Sequence, residues 1–124
     1  MKRWQALSLI GLFALTIIPQ TAHGEGQEIE KQIPRLEVAM KRGGFETRLK
    51  RRYNLSNADL AQLHARGMND AQITIAAQLS EATGRPITEI QRLRKEENLG
   101  WSEIAKKFGI RPLAIGQLVA LMHR

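Results

Sequence analysis

The sequence contains no cysteine, only four prolines, and few aromatic residues, which make up 5% of the chain. Without cysteine there is no disulfide framework and no lipid attachment site behind an export signal, so stability rests on packing alone. With so few prolines and no internal linker, 124 residues leave room for one small domain. Strand patterning is missing too. No stretch alternates apolar and polar residues with period two, and the expected class is all-α.

Long apolar runs are also scarce, and the exception is N-terminal. Lys2 and Arg3 precede an almost unbroken apolar stretch from Trp4 to Ile18, which Pro19 and Gln20 interrupt before the small-x-small sequence Ala22-His23-Gly24. This is the pattern of a cleavable signal peptide over residues 1–24. The run is shorter than the roughly 20 residues of a membrane span, so membrane attachment is expected only through an uncleaved signal. The mature chain then begins near Glu25 and is exported, either periplasmic or secreted.

Acidic residues are in deficit, with 12 Asp and Glu against 19 Lys and Arg for a net charge of +7. Lys41, Arg42, Arg48, Lys50, Arg51 and Arg52 crowd residues 41–52, opposed only by Glu46. Such a patch suits nucleic acid, anionic lipid head groups, acidic polysaccharide or an acidic protein, and it also suits plain solvation. Residues 25–54 are read as a basic, partly helical N-terminal arm. Ile29, Ile33, Leu36 and Met40 recur at helical spacing across Pro34, but the stripe is narrow and Gly43-Gly44 behind it reads as a hinge.

Residues 55–124 carry dense helix start and stop signals and are expected to form a compact helical domain. Ser56 with Asp59 makes a capping box before Leu60 and Leu63, and Gly67 closes that helix. Asn69 with Gln72 opens the next, Met68 and Ile73 form its hydrophobic staple, and Gly84 ends it. Pro86 starts a third helix bearing Ile87, Ile90 and Leu93, ending near Gly100. Ser102 caps a short helix over Glu103–Phe108, and Pro112 starts a final one over Leu113–His123. Leu60, Leu63, Gly67, Met68 and Asp70 align with Ile90, Leu93, Gly100, Trp101 and Glu103 after a three-residue insertion, an internal echo of two helix-turn-helix units.

The second unit matches a DNA-binding helix-turn-helix at Ala105, Gly109 and Ile115, with Ile104, Phe108, Ile110 and Leu118 at core positions. Its outward face, Arg111, Pro112, Leu113, Gly116, Gln117 and Ala120, is poor in base-reading groups, so the motif is read as architecture. The last helix is apolar over more than one stripe, which makes it either the centre of the core, the favoured reading, or a docking element. Trp101 is likewise either a core plug or an exposed anchor. Candidate partner contacts are Trp101, Leu113, Gln117 and Ala120. Candidate polyanion contacts are the six cations of residues 41–52 with Lys107 and Arg111.

The segments Gly67-Met-Asn-Asp-Ala-Gln-Ile, Leu79-Ser-Glu-Ala-Thr-Gly-Arg, Ile90 to Leu93 and Gly100-Trp-Ser-Glu-Ile-Ala-Lys-Lys-Phe-Gly-Ile resemble a group of small exported bacterial helical proteins of unknown function. That group is marked by a glycine-tryptophan-glycine-glutamate-isoleucine-alanine-lysine signature, and Ser102 replaces its second glycine. The resemblance implies a helical fold and export, and no activity.

Chemistry is sparse. His64 and His123 stand at metal-ligand spacing from no other histidine. Ser56, Ser80 and Ser102 have no nucleophile elbow, and Asp70 and Glu103 sit where the helix dipole favours carboxylates. Gly43-Gly44 has no strand before it to make a phosphate loop. No enzyme, cofactor, metal site or small-molecule substrate is expected. Two readings remain: a non-catalytic protein-interaction or structural module, with a protein partner or self-association, and a polyanion or nucleic-acid binder.

Overall fold

The computed structural model describes residues 27–124, so the expected signal peptide lies outside the described residues. Within them run seven helices: α1 (Ile33–Ala39), α2 (Phe45–Tyr53), α3 (Asn57–Ala65), α4 (Asp70–Thr83), α5 (Ile87–Lys95), α6 (Trp101–Lys107) and α7 (Pro112–Ala120). Short 3-10 turns at Glu30–Gln32 and Leu121–His123 frame them. No strand occurs among the described residues, in keeping with the all-α expectation.

Four of the joints share one plan. Asn54, Gly67, Asn98 and Gly109 take positive φ, between 55° and 90°. The following residue, Leu55, Met68, Leu99 or Ile110, packs its apolar side chain on the core. Its N–H turns back to the preceding helix end: Leu55 to the Lys50 carbonyl at 2.9 Å, Met68 to Leu63 at 3.2 Å, Leu99 to Leu93 at 3.1 Å and Ile110 to Ala105 at 2.9 Å. A left-handed residue with an apolar residue behind it closes a helix while satisfying its free carbonyls. The next residue already caps the following helix, which keeps every joint tight.

Both expected capping boxes form. The Asp59 N–H donates to Ser56 Oγ at 2.9 Å and the Ser56 N–H to Asp59 Oδ2 at 2.8 Å. Asn69 and Gln72 exchange the equivalent pair at 2.8 and 2.9 Å.

Several local expectations are corrected. Residues 45–53, to which the sequence pattern assigns no element within the partly helical arm, are a helix, because Phe45 and Leu49 bury one side while polar and mostly cationic side chains occupy the rest. The third predicted helix stops at Lys95 instead of near Gly100, since Asn98 supplies the left-handed residue. Gly100 is therefore an N-cap with φ −72°, and Ser102 lies inside α6. The internal echo shifts with it: Gly67, Met68 and Asn69 correspond to Asn98, Leu99 and Gly100.

The centre of the core is α4, not the C-terminal helix. Ala71 and the unbroken run from Ile73 to Leu79 are buried, so α4 is enclosed on all sides, and it packs against α1, α2, α5, α6 and α7. Three alanines, Ala71, Ala76 and Ala77, let neighbours approach closely. Gln78 is 2% exposed and accepts from the Tyr53 hydroxyl at 2.9 Å, which satisfies a polar group that would otherwise be costly to bury.

Residues 27–54 are not a poorly anchored arm. Ile29, Leu36, Ala39, Phe45 and Leu49 are at most 1% exposed and belong to the same core cluster as the later helices. The turn at Glu30–Gln32 lies on α7. A Cβ built on Gly116 would stand 2.8 Å from the Glu28 carbonyl oxygen, so the backbone crosses there at a distance only glycine permits.

Candidate functional site

The predicted basic residues do not act as one uncommitted patch. On α2, Arg52 forks onto Glu81 at 3.2 and 3.3 Å, reaches Gln78 at 3.4 Å and stacks over the Tyr53 ring at 4.6 Å. The Glu81 hydrogen bond raises the Arg52 pKa. Burial pushes the Tyr53 hydroxyl up to about 12, with the Arg52 charge opposing it. Lys50 bonds Asn57 at 2.6 Å, and Arg48 lies over the Phe45 ring. Much of this charge therefore ties α2 to its neighbours. Lys41, Arg42 and Arg51 are exposed, whereas Lys107 and Arg111 belong to the separate α6–α7 pair and are also exposed.

The helix-turn-helix match holds in its packing. Ala105 and Ile115 are buried and Gly109 has φ +76°. Leu118 is a correction: it was expected in the core and is 39% exposed, because Ile115, Val119 and Met122 set the buried face of the C-terminal segment. The expected outward face is corrected too. Pro112 and Gly116 are buried, Gly116 under the Glu28 carbonyl, and Leu113 and Ala120 are half-buried. Of that face only Arg111 and Gln117 stay exposed. Trp101 is 3% exposed, with the Arg94 guanidinium 4.6 Å from its ring centre, so it is no exposed anchor.

The solvent-facing stripe of α7 and the turn after it is instead Ala114, Gln117, Leu118 and Leu121. Among the described residues the exposed large apolar side chains are Val38 at 58%, Leu121 at 51% and Leu118 at 39%. The helix bearing Val38 packs on the turn bearing Leu121. At this end His123 Nε2 lies 2.7 Å from Gln32 Oε1. Burial lowers the His123 pKa, as do the charges of Arg35, Arg124 and Arg42, against a backbone hydrogen bond that raises it. Cationic side chains therefore surround His123 at this end of the bundle.

A second feature was invisible to the sequence reading. A pocket of about 200 Å³ opens between the α3–α4 joint and helices α5 and α6. Its lining includes Arg66, Arg94 and Lys95, with Met68 and Trp101 as apolar surface and Gln72 and Gln91 as amides. Lys95 Nζ donates to the Arg66 carbonyl at 3.1 Å, and Gln91 Nε2 donates to the same oxygen at 3.3 Å. Arg66 Nη1 donates to Gln91 Oε1 at 3.4 Å, and Arg94 Nη1 to the Leu99 carbonyl at 2.9 Å. All three stand at helix C-terminal ends, where positive charge is favourable in any case, and no spacing in the sequence marks a pocket.

The third feature joins His64 to acidic residues of two other helices. Glu46, His64 and Asp70, from α2, α3 and α4, bring one donor atom each within 4.8 Å of one another. One imidazole and two carboxylates are a donor set that a divalent cation accepts. The 2.7 Å contact between His64 and Asp70 is also a sufficient bridge across the α3–α4 joint by itself. Asp70 and Glu103 do occupy first helical turns, and Glu103 accepts the Gly100 N–H at 2.6 Å.

Among the described residues no helix is long and apolar enough to cross a membrane. Compared with protein-family models, curated proteins and solved structures, the chain matches none.

Proposed function

We propose that this chain is a non-catalytic interaction module of an exported protein, and that it docks a protein surface, in the first instance a second copy of itself, through Val38, Leu118 and Leu121. The carrying observation is that these exposed apolar side chains lie on two segments that pack together. Isolated exposed leucines need no explanation, but a shared apolar patch within a polar margin is the usual form of an interface. Export rests on the N-terminal pattern from Lys2 to Gly24.

Size exclusion with light scattering, at several protein concentrations and at low and high salt, tests this reading. Assembly that grows with concentration, resists salt and disappears in Leu118→Asp/Leu121→Asp is the expected result. A monomer at every concentration would overturn it.

One observation favours a second reading, polyanion binding: Lys41 and Arg51 are exposed and make no ion pair among the described residues. Binding of a short DNA duplex that falls steeply with salt and is lost in Lys41→Glu/Arg51→Glu would support it. Arg52 is the wrong residue for that test, since reversing it breaks the Glu81 contact.

A further inference from the structure

We propose that the pocket between the α3–α4 joint and helices α5 and α6 is a binding site for a small organic carboxylate carrying a compact apolar group. This is independent of the docking surface at the other segments.

The first ground is charge. Arg66, Arg94 and Lys95 line the pocket and no carboxylate does. The acids that follow in the chain do not neutralise them, since Glu97 pairs with Arg92 at 3.0 Å and Glu96 makes no ion pair among the described residues. Each of the three cations is held by a neutral acceptor: the Gln91 amide, the Leu99 carbonyl and the Arg66 carbonyl. Neutral acceptors fix the side chains in place without cancelling their charge. An arriving anion therefore meets positioned donors, and the guanidinium planes suit the two oxygens of a carboxylate.

The second ground is shape and donor supply. Gln72 Oε1 accepts the Asn69 N–H, which leaves the Gln72 amide NH2 as a further donor on the pocket wall. Gly67 takes φ +90° beside the pocket, a backbone conformation that favours glycine, and Lys95 is exposed at its mouth. Met68 and Trp101 supply apolar surface. At about 200 Å³ the cavity falls below the roughly 300–1,000 Å³ of drug-sized sites. That volume and that apolar surface fit a small aromatic or branched aliphatic acid, and not a chain of phosphates.

The test uses the full chain carrying Trp4→Phe, which leaves Trp101 as the only tryptophan. Its fluorescence, excited on the red edge where benzoate does not absorb, is followed during titration with sodium benzoate. Benzamide serves as the neutral analogue, and sodium chloride holds the ionic strength constant. The expected result is a saturable change with benzoate and none with benzamide. Arg66→Gln and Lys95→Gln should each weaken it about ten-fold or more, the size of a lost charge-assisted hydrogen bond. Lys106→Gln, which removes the same charge from an exposed position of α6 outside the pocket lining, should leave it unchanged.

Amide NMR shifts at Gly67 and Lys95 give a readout that does not depend on tryptophan. A non-saturable response, an equal response to benzamide, or an equal loss in Lys106→Gln would overturn the assignment. So would saturable binding of inorganic phosphate with none of benzoate, since that would leave the apolar surface without a role.

Discussion

The carboxylate of Glu30 caps helix α6 from 72 residues away: Ser102 donates its backbone N–H to Oε2 at 3.1 Å and its hydroxyl to Oε1 at 2.6 Å. Gly100, the N-cap, has no side chain to do this, and the first N–H groups of a helix need acceptors. Glu30→Ala should destabilise the fold by about 1–3 kcal/mol, the range for a partly buried charged acceptor. Urea denaturation measures it. In a double-mutant cycle with Ser102→Ala the two losses should be less than additive, and strict additivity would disprove the coupling.

Gly116→Ala sets two effects against each other. Helix propensity favours alanine by about 1 kcal/mol, but its Cβ would sit 2.8 Å from the Glu28 carbonyl oxygen. Overpacking against backbone commonly costs about 1–3 kcal/mol. Net destabilisation is expected in chemical denaturation, and a stabilised variant would show that the N-terminal turn does not bind α7 so closely.

Asn98 holds φ 58° at the joint where a reading by glycine positions placed Gly100. Asn98→Ala should cost about 1 kcal/mol through the left-handed backbone, and Asn98→Gly should be close to neutral. Gly100→Ala meets no left-handed penalty, because Gly100 has φ −72°, and its cost is that of a Cβ 3.3 Å from Glu103 Oε1 and 3.4 Å from Glu30 Oε2. Thermal denaturation of the two Asn98 variants should rank them that way. An Asn98→Gly loss as large as that of Asn98→Ala would refute this register of the repeat.

Tyr53 is the single tyrosine, so its titration can be read directly from phenolate absorbance. In the folded chain burial holds its pKa up to about 12, against an ordinary value of 10.0. The unfolded chain releases the proton first, so this group's contribution to stability is complete below pH 10 and is lost as pH rises from 10 toward about 12. Absorbance of native protein should stay flat through pH 10.5 while denatured protein is already ionising. Coincident curves would place Tyr53 in solvent.

Helix boundaries and caps were legible from single residues because their chemistry is local. The boxes at Ser56 and Asn69, the stop at Gly84 and the restarts at Pro86 and Pro112 all depend on backbone groups a few residues away. Ser102 misled for the same reason: serine before a helix is a cap by default, and its partner Glu30 is remote. Asn98 was overlooked because asparagine enters the left-handed region less often than glycine.

Which apolar residues face inward, and which helix is central, were not local questions. The C-terminal helix is the more uniformly apolar to the eye, yet α4 is enclosed because its alanines admit neighbours on every side. Leu118 and Leu121 remain outside because no element among the described residues covers them.

The sequence by itself determined the helical class, the basic balance, the absence of cysteine chemistry, most helix ends and the apolar N-terminal run, since each follows from composition or short-range bonding. Only the tertiary structure decided that residues 27–54 join the core, that Glu30 serves α6, that Glu46, His64 and Asp70 converge, and that Arg66, Arg94 and Lys95 face one pocket. Those outcomes depend on packing between segments far apart in the chain, where side-chain volume and backbone approach set the geometry and no spacing in the sequence encodes it.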